Sequence, residues 1–168
     1  RSTRMRFYAF IILFFTISSQ VFSQDYSLGA SFGEVQLVAG FDPDPYTASI
    51  YAGGSINLSE STEFSCVGFI SEEPDYQISY STSNANYPLS IFVTSEIDTV
   101  LLINDPNGGW SCNDDYSEEY GSMPGIEFTS PAEGIYDIWV GVYDQDERFS
   151  TAELLITELD GLLNSESA

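Results

Sequence analysis

The chain has 168 residues, 43% of them hydrophobic and 15% aromatic, enough to bury one domain's core and too apolar for an acidic disordered tail. Against 26 Asp and Glu it sets four Arg, no Lys and no His, for a net charge of −22. Nucleic acid and anionic membrane are excluded as partners, since both need a basic surface, and without His or Lys there is no Ser-His-Asp triad and no Ser-Lys dyad.

Arg1, Arg4 and Arg6 precede an apolar run, Phe7 to Ile17, that turns polar at Ser18. The run is short for a membrane span. Val21 and Ser23 suit the small positions of a cleavage site, so residues 1–23 read as a secretory signal. Met5 reads as its start, with residues 1–4 upstream. A secreted, extracellular or cell-surface protein is expected. Removing the signal leaves 26 acids against Arg148 alone, a charge of −25. Such a charge self-repels and is relieved by salt or divalent cations. A saline habitat would also account for it. Two cysteines in an exported chain imply one disulfide, Cys66–Cys112. The loop it closes is worth roughly 4 kcal/mol in the chain-entropy model.

From Gln24 to Phe32 the apolar residues Tyr26, Leu28, Ala30 and Phe32 alternate with polar ones, which predicts a free N-terminal strand with one apolar face. Gly33 ends it. Glu34–Ala39 is a second strand, and Phe41-Asp42-Pro43-Asp44-Pro45 a rigid turn. Thr47–Tyr51 and Ser55–Leu58 are β-rich, and Asn57-Leu58-Ser59 is a glycosylation sequon that marks exposure. Phe64–Ile70 carries the first cysteine. Tyr76–Tyr80, Leu89–Thr94 and Thr99–Ile103 follow across acidic and Pro-containing turns. Gly125–Phe128 is short, and Ile135–Tyr143 is the longest β-run. Thr151–Leu159 has helix-forming residues, but its place after so many short strands makes it the closing strand. Residues 160–168 read as a frayed polar tail. The prediction is an all-β jelly roll or β-sandwich of about eight or nine strands over residues 33–159, with residues 24–32 as an extended arm.

One block differs from the rest. Asn104 to Asp115 joins a turn (Pro106, Gly108, Gly109), a Trp, the second Cys and a set of hard oxygen ligands: Asp105, Asn107, Asp114 and Asp115. Oxygen ligands on a tight turn suit Ca²⁺. The same residues also make an ordinary solvated turn, and the spacing is not that of an EF-hand. Asp42/Asp44 and Asp144/Asp146 read either as further cation ligands or as solvated turn acids.

Gly33-Glu34-Val35, Phe41-Asp42-Pro43-Asp44-Pro45, Cys66-Val67-Gly68, the Asn104–Asp115 block and Tyr136-Asp137-Ile138-Trp139-Val140-Gly141 together resemble the bacterial pre-peptidase C-terminal domains. The resemblance covers roughly Gly33 to Leu159. It implies a non-catalytic jelly-roll sandwich outside the cell, often with bound Ca²⁺, and it favours Ca²⁺ at Asp105, Asp114 and Asp115.

For catalysis the composition leaves carboxylate pairs, as in glycosidases. The candidates, Glu72/Glu73, Asp114/Asp115, Glu118/Glu119 and Asp144/Asp146, are so many that solvated loops explain them better. The tyrosines Tyr76, Tyr80, Tyr87, Tyr116, Tyr120, Tyr136 and Tyr143 suit either a sugar-stacking platform or cross-strand packing. The function expected is a Ca²⁺-stabilised structural subunit that assembles head to tail with its own kind. Tyr26, Leu28, Ala30 and Phe32 would fill a groove of the next copy. The alternative is a secreted module that binds an extracellular glycan or protein.

Overall fold

The computed structural model describes residues 25–61, 64–116 and 123–159. The signal segment 1–23, the tail 160–168, and Glu118, Glu119 and Tyr120 lie outside the described residues. Among the described residues eleven strands form two sheets. They are β1 (Glu34–Val38), β2 (Tyr46–Ala52), β3 (Ile56–Asn57), β4 (Phe69–Ile70), β5 (Tyr76–Ser81), β6 (Leu89–Ser95), β7 (Thr99–Asn104), β8 (Trp110–Asn113), β9 (Gly125–Phe128), β10 (Gly134–Val142) and β11 (Ser150–Thr157). Two single turns of 3-10 helix, Leu58–Glu60 and Gln145–Glu147, complete the regular structure of the described residues.

The sheets are organised around their two last strands. In the seven-stranded sheet β10 is central. It pairs with β7 through Asp137–Val142 on one edge, and with β5 through Gly134–Ile138 and β4 at Val142 on the other. β8 extends the sheet beyond β7, β3 beyond β4, and β1 beyond β5. In the four-stranded sheet the order is β2-β11-β6-β9, all antiparallel.

Alternation explains the packing. Ile78 and Tyr80 of β5, Leu101 and Ile103 of β7, and Ile138 and Val140 of β10 turn one way, onto the four-stranded sheet, and are buried there. The residues between them turn to the outer face. There Val100, Leu102 and Trp139 are covered by Leu58, Cys66 and Ile70 in a second, smaller core. This double burial is why β10 reads as a nearly continuous apolar run. It also demands Gly141, because a Cβ there would lie 2.7 Å from the Phe69 carbonyl oxygen and 2.5 Å from a Val100 methyl.

The two-sheet sandwich agrees with the all-β expectation, and the closing strand is present as β11. Three details differ. The block after Asn104 contains a strand, β8, because the turn Asp105–Gly109 folds the chain back as a hairpin and places Trp110 and Cys112 on the second core. Of Phe64–Ile70, only Phe69–Ile70 pairs as strand; the rest is the cover over the outer face.

Residues 25–32 form no strand. Asp25 Oδ1 accepts from the Ser27 amide at 2.9 Å and its hydroxyl at 2.6 Å, and this local turn wins over extension. Tyr26, Leu28 and Phe32 stay 58%, 40% and 39% exposed and do not form one buried stripe. The free edge of β5 that such a strand would seek is taken by β1, in parallel. The segment instead docks on the loop before β5: the Asp25 amide donates to the Glu72 carbonyl, Ser31 to Pro74 and Phe32 to Asp75.

Glu158, just past β11, closes the other end of the sandwich. It is buried, and its Oε1 accepts from the Tyr80 hydroxyl and its Oε2 from the Gly40 amide, each at 2.6 Å. Glu158→Gln leaves one of those donors facing an amide N–H. The expected cost is about 1–2 kcal/mol, read as a lower urea midpoint at unchanged slope.

Candidate functional site: a cleft on the outer sheet face

Register places one residue from each of five strands side by side: Glu34, Gln77, Asp137, Asn104 and Trp110. The last four line a cleft of about 650 Å³ where the cover over the outer face stops. Asp137 lies on its floor, 5% exposed. Its Oδ1 accepts from Gln77 Nε2 at 2.7 Å, and no described residue donates to its Oδ2. Burial pushes its carboxyl above the ordinary carboxylate range, against the lowering effect of the Gln77 hydrogen bond. Asn104 is also buried, with Nδ2 donating to the Gly109 carbonyl at 3.4 Å.

The walls are aromatic. Trp110 stands 5.4 Å from Trp139 and 5.4 Å from Phe64, ring centre to ring centre, and Tyr26 meets it edge-on at 6.4 Å. The docked N-terminal segment brings Tyr26 there, and the Cys66–Cys112 disulfide ties the strand bearing Trp110 to the cover. The rim adds Asp105 and Glu133. Glu133 Oε1 accepts from the Thr82 amide and hydroxyl and from Ser81, which holds its carboxyl below the ordinary value.

The expected Ca²⁺ set does not converge. Asp105 Oδ1 is committed to the Asn107 and Gly109 amides, at 2.8 and 2.9 Å, and so closes the β7–β8 turn. Asp114 and Asp115 follow the far end of β8, where Asn113 faces Leu101. A four-residue strand separates the two groups by more than about 10 Å. Asp114 and Asp115 act instead on Asp98, whose carboxyl is raised by burial first and then by Asp115, Asp114 and Glu147. Asp144 caps a 3-10 turn through the Asp146 amide, and Asp44 Oδ2 accepts from the Glu158 amide while Asp42 is exposed. Among the described residues no three His, Cys, Asp or Glu are grouped to hold a metal ion. The donor set therefore does not fit one cation. Asn57 Oδ1 accepts from the Ser59 amide and caps the Leu58–Glu60 turn.

The tyrosines do not form one platform either. Tyr76, Tyr80 and Tyr136 are buried in the sandwich, while Tyr87, Tyr116 and Tyr143 are exposed. Tyr26, singled out as part of an assembly strand, and Trp110 form the aromatic pair at the cleft. Gln77, Asp137 and Glu133 were missed as site residues. The signal for Asp137 was available: it is the one charged residue inside the apolar run Ile135–Tyr143.

Fold and cleft together define a class: a small all-β sandwich domain with an acidic, aromatic-walled cleft on one sheet. No family model and no curated protein matches the sequence. Among solved structures the chain is similar to the pre-peptidase C-terminal domain of a collagenase from Bacillus anthracis, at 12% identity and a TM-score of 0.41, over 77% of this chain and 96% of that one. It is also similar to PliG of Aeromonas hydrophila, a periplasmic inhibitor of g-type lysozyme, at 12% identity and a TM-score of 0.36, over 74% and 96%. The resemblance read from the sequence thus recurs among solved structures. It is a likeness of β architecture and carries nothing to the cleft.

Proposed function

We propose that this protein is a non-catalytic binding domain that works outside the cell, and that the cleft over Asp137 is its ligand site. The observation that supports this reading most is the arrangement of Trp110 and Tyr26 beside a buried carboxylate with one uncommitted oxygen. A concave site with apolar walls and few convergent polar groups is the usual form of a recognition site. The composition speaks against catalysis, since without His or Lys the cleft has carboxylates alone. Assembly by exchange of residues 24–32 has less support, because residues 25–32 are hydrogen-bonded in cis to the loop 72–75.

Arrays of glycans and of short peptides of varied charge test the reading. The wild-type domain should retain at least one class, and Trp110→Ala should weaken retention tenfold or more, while the melting temperature reports that the variant is folded. An array on which nothing is retained, or retention indifferent to Trp110, overturns it.

A further inference from the structure

We infer that the cleft takes a guanidinium group, the head of an arginine side chain. This inference rests on the cleft being a binding site, as proposed above. It starts from which hydrogen-bonding atoms are already committed. A carboxylate oxygen accepts only, so the 2.7 Å contact fixes Gln77 with Nε2 toward Asp137. A carbonyl also accepts only, so the contact of Asn104 with Gly109 fixes that amide with Nδ2 toward the turn. What these three adjacent side chains have to spare is therefore rich in acceptors: Oε1 of Gln77, Oδ2 of Asp137 and Oδ1 of Asn104. They stand on neighbouring strands, about 4.8 Å apart.

Charge points the same way. Three carboxylates, Asp105, Glu133 and Asp137, line the cleft, and among the described residues no cationic side chain does. Arg148 is elsewhere, against Gly53 beyond the far end of β10. A neutral sugar would leave the Asp137 charge buried and unbalanced, which is costly. A guanidinium brings the balancing charge and five donors in one plane. Its flat faces stack on aromatic rings, and Trp110 and Tyr26 line the wall. An ammonium brings the charge but neither the plane nor the fork, so it should bind more weakly.

The test is titration of the ¹⁵N-labelled protein, followed by amide shifts of Gln77, Asn104 and Asp137. The probes are Nα-acetyl-arginine amide, its uncharged isostere Nα-acetyl-citrulline amide, the lysine analogue, free arginine and chitotriose. The expected result is saturable shifts with the arginine amide, at least tenfold weaker binding of citrulline, and weaker binding of lysine. Asp137→Asn should remove the preference over citrulline. Glu133→Gln, at the exposed rim, should reduce it several-fold. Preference for the blocked arginine over the free amino acid would assign the group to a partner protein, and equal binding to a small molecule; both support the inference. Citrulline binding as well as arginine overturns it. So does chitotriose shifting the cleft while arginine does not, and in that case the binding reading survives. If no probe shifts the cleft, the guanidinium inference falls; if the arrays are blank as well, both fall.

Discussion

Replacing Cys66 and Cys112 by serine should lower stability by about 2–5 kcal/mol, with a drop in melting temperature of roughly 10 °C. The two residues are 46 apart in sequence, with Cα atoms 6.1 Å apart. A loop of that length removes much freedom from the unfolded chain, about 4 kcal/mol in the entropy model. The native cost is local. Cys66 lies in the irregular cover over the outer face, a segment with few strand hydrogen bonds, and Cys112 pins it over Leu102 and Trp139. The variant should therefore also bind the cleft's ligand less well, since Trp110 is two residues from Cys112 and packs on Phe64 of the same cover. Thermal unfolding of the oxidised protein beside the double variant decides it. A loss below about 1 kcal/mol would mean that packing alone holds the cover.

Asp75→Asn should abolish most of one component of the pH dependence and make the protein more stable than wild type above pH 7. Asp75 is 1% exposed, and burial pushes its carboxyl up to about 7. The Val140 amide, donating to Oδ2 at 2.7 Å, and the Ser71 hydroxyl counter this only in part. The folded pKa thus lies above the unfolded value near 3.8. Between the two the folded state binds more protons than the unfolded, so stability falls as pH rises through this window. The contribution is fully present below about pH 4, is lost as pH passes 7, and is flat beyond. Its size is at most on the order of 4 kcal/mol.

The protonated acid also completes a relay. The Ser71 hydroxyl reaches both Asp75 Oδ1, at 3.2 Å, and the Glu73 carbonyl, at 2.7 Å; once Asp75 is protonated it can donate to the Ser71 oxygen, leaving the Ser71 hydrogen to the carbonyl. Asparagine reproduces that neutral donor at every pH. Denaturant titrations of both proteins at pH 4.5, 6 and 8 check the prediction as a difference, in which the repulsion among the other acids cancels. Wild type and variant falling in parallel would refute it.

Much of the fold is legible in the sequence. Alternation marks β2, β5 and β6, the apolar run Val100–Ile103 marks β7, and the pairing of the two cysteines follows from their number. The turn at Asp105–Gly109 is written in its Pro, Asn and Gly. What is hidden depends on partners far away in the chain. The stretch 25–32 alternates as a strand should, yet β1 occupies the edge it would need. Asp105 and Asp114 look like one cluster because they are near in sequence, and a hairpin strand carries them to opposite ends. The cleft is the reverse case. Gln77, Asn104 and Asp137 belong to three strands and meet only through register, which no local pattern encodes.

Among the described residues, the two strands at the centre of the sheets are also the last two in chain order. Until β10 exists, β5, β7 and β4 have no common neighbour, and until β11 exists, β2 and β6 do not meet. Made in order from the N-terminal side, these strands therefore hold hairpins and single strand pairs, but neither sheet, until β10 and β11 are free to pair. Ribosome and folding are separated in time by this order of strands. Until β10 emerges the strands before it stay pliant, in the thin, unfolded form that a narrow pore can pass.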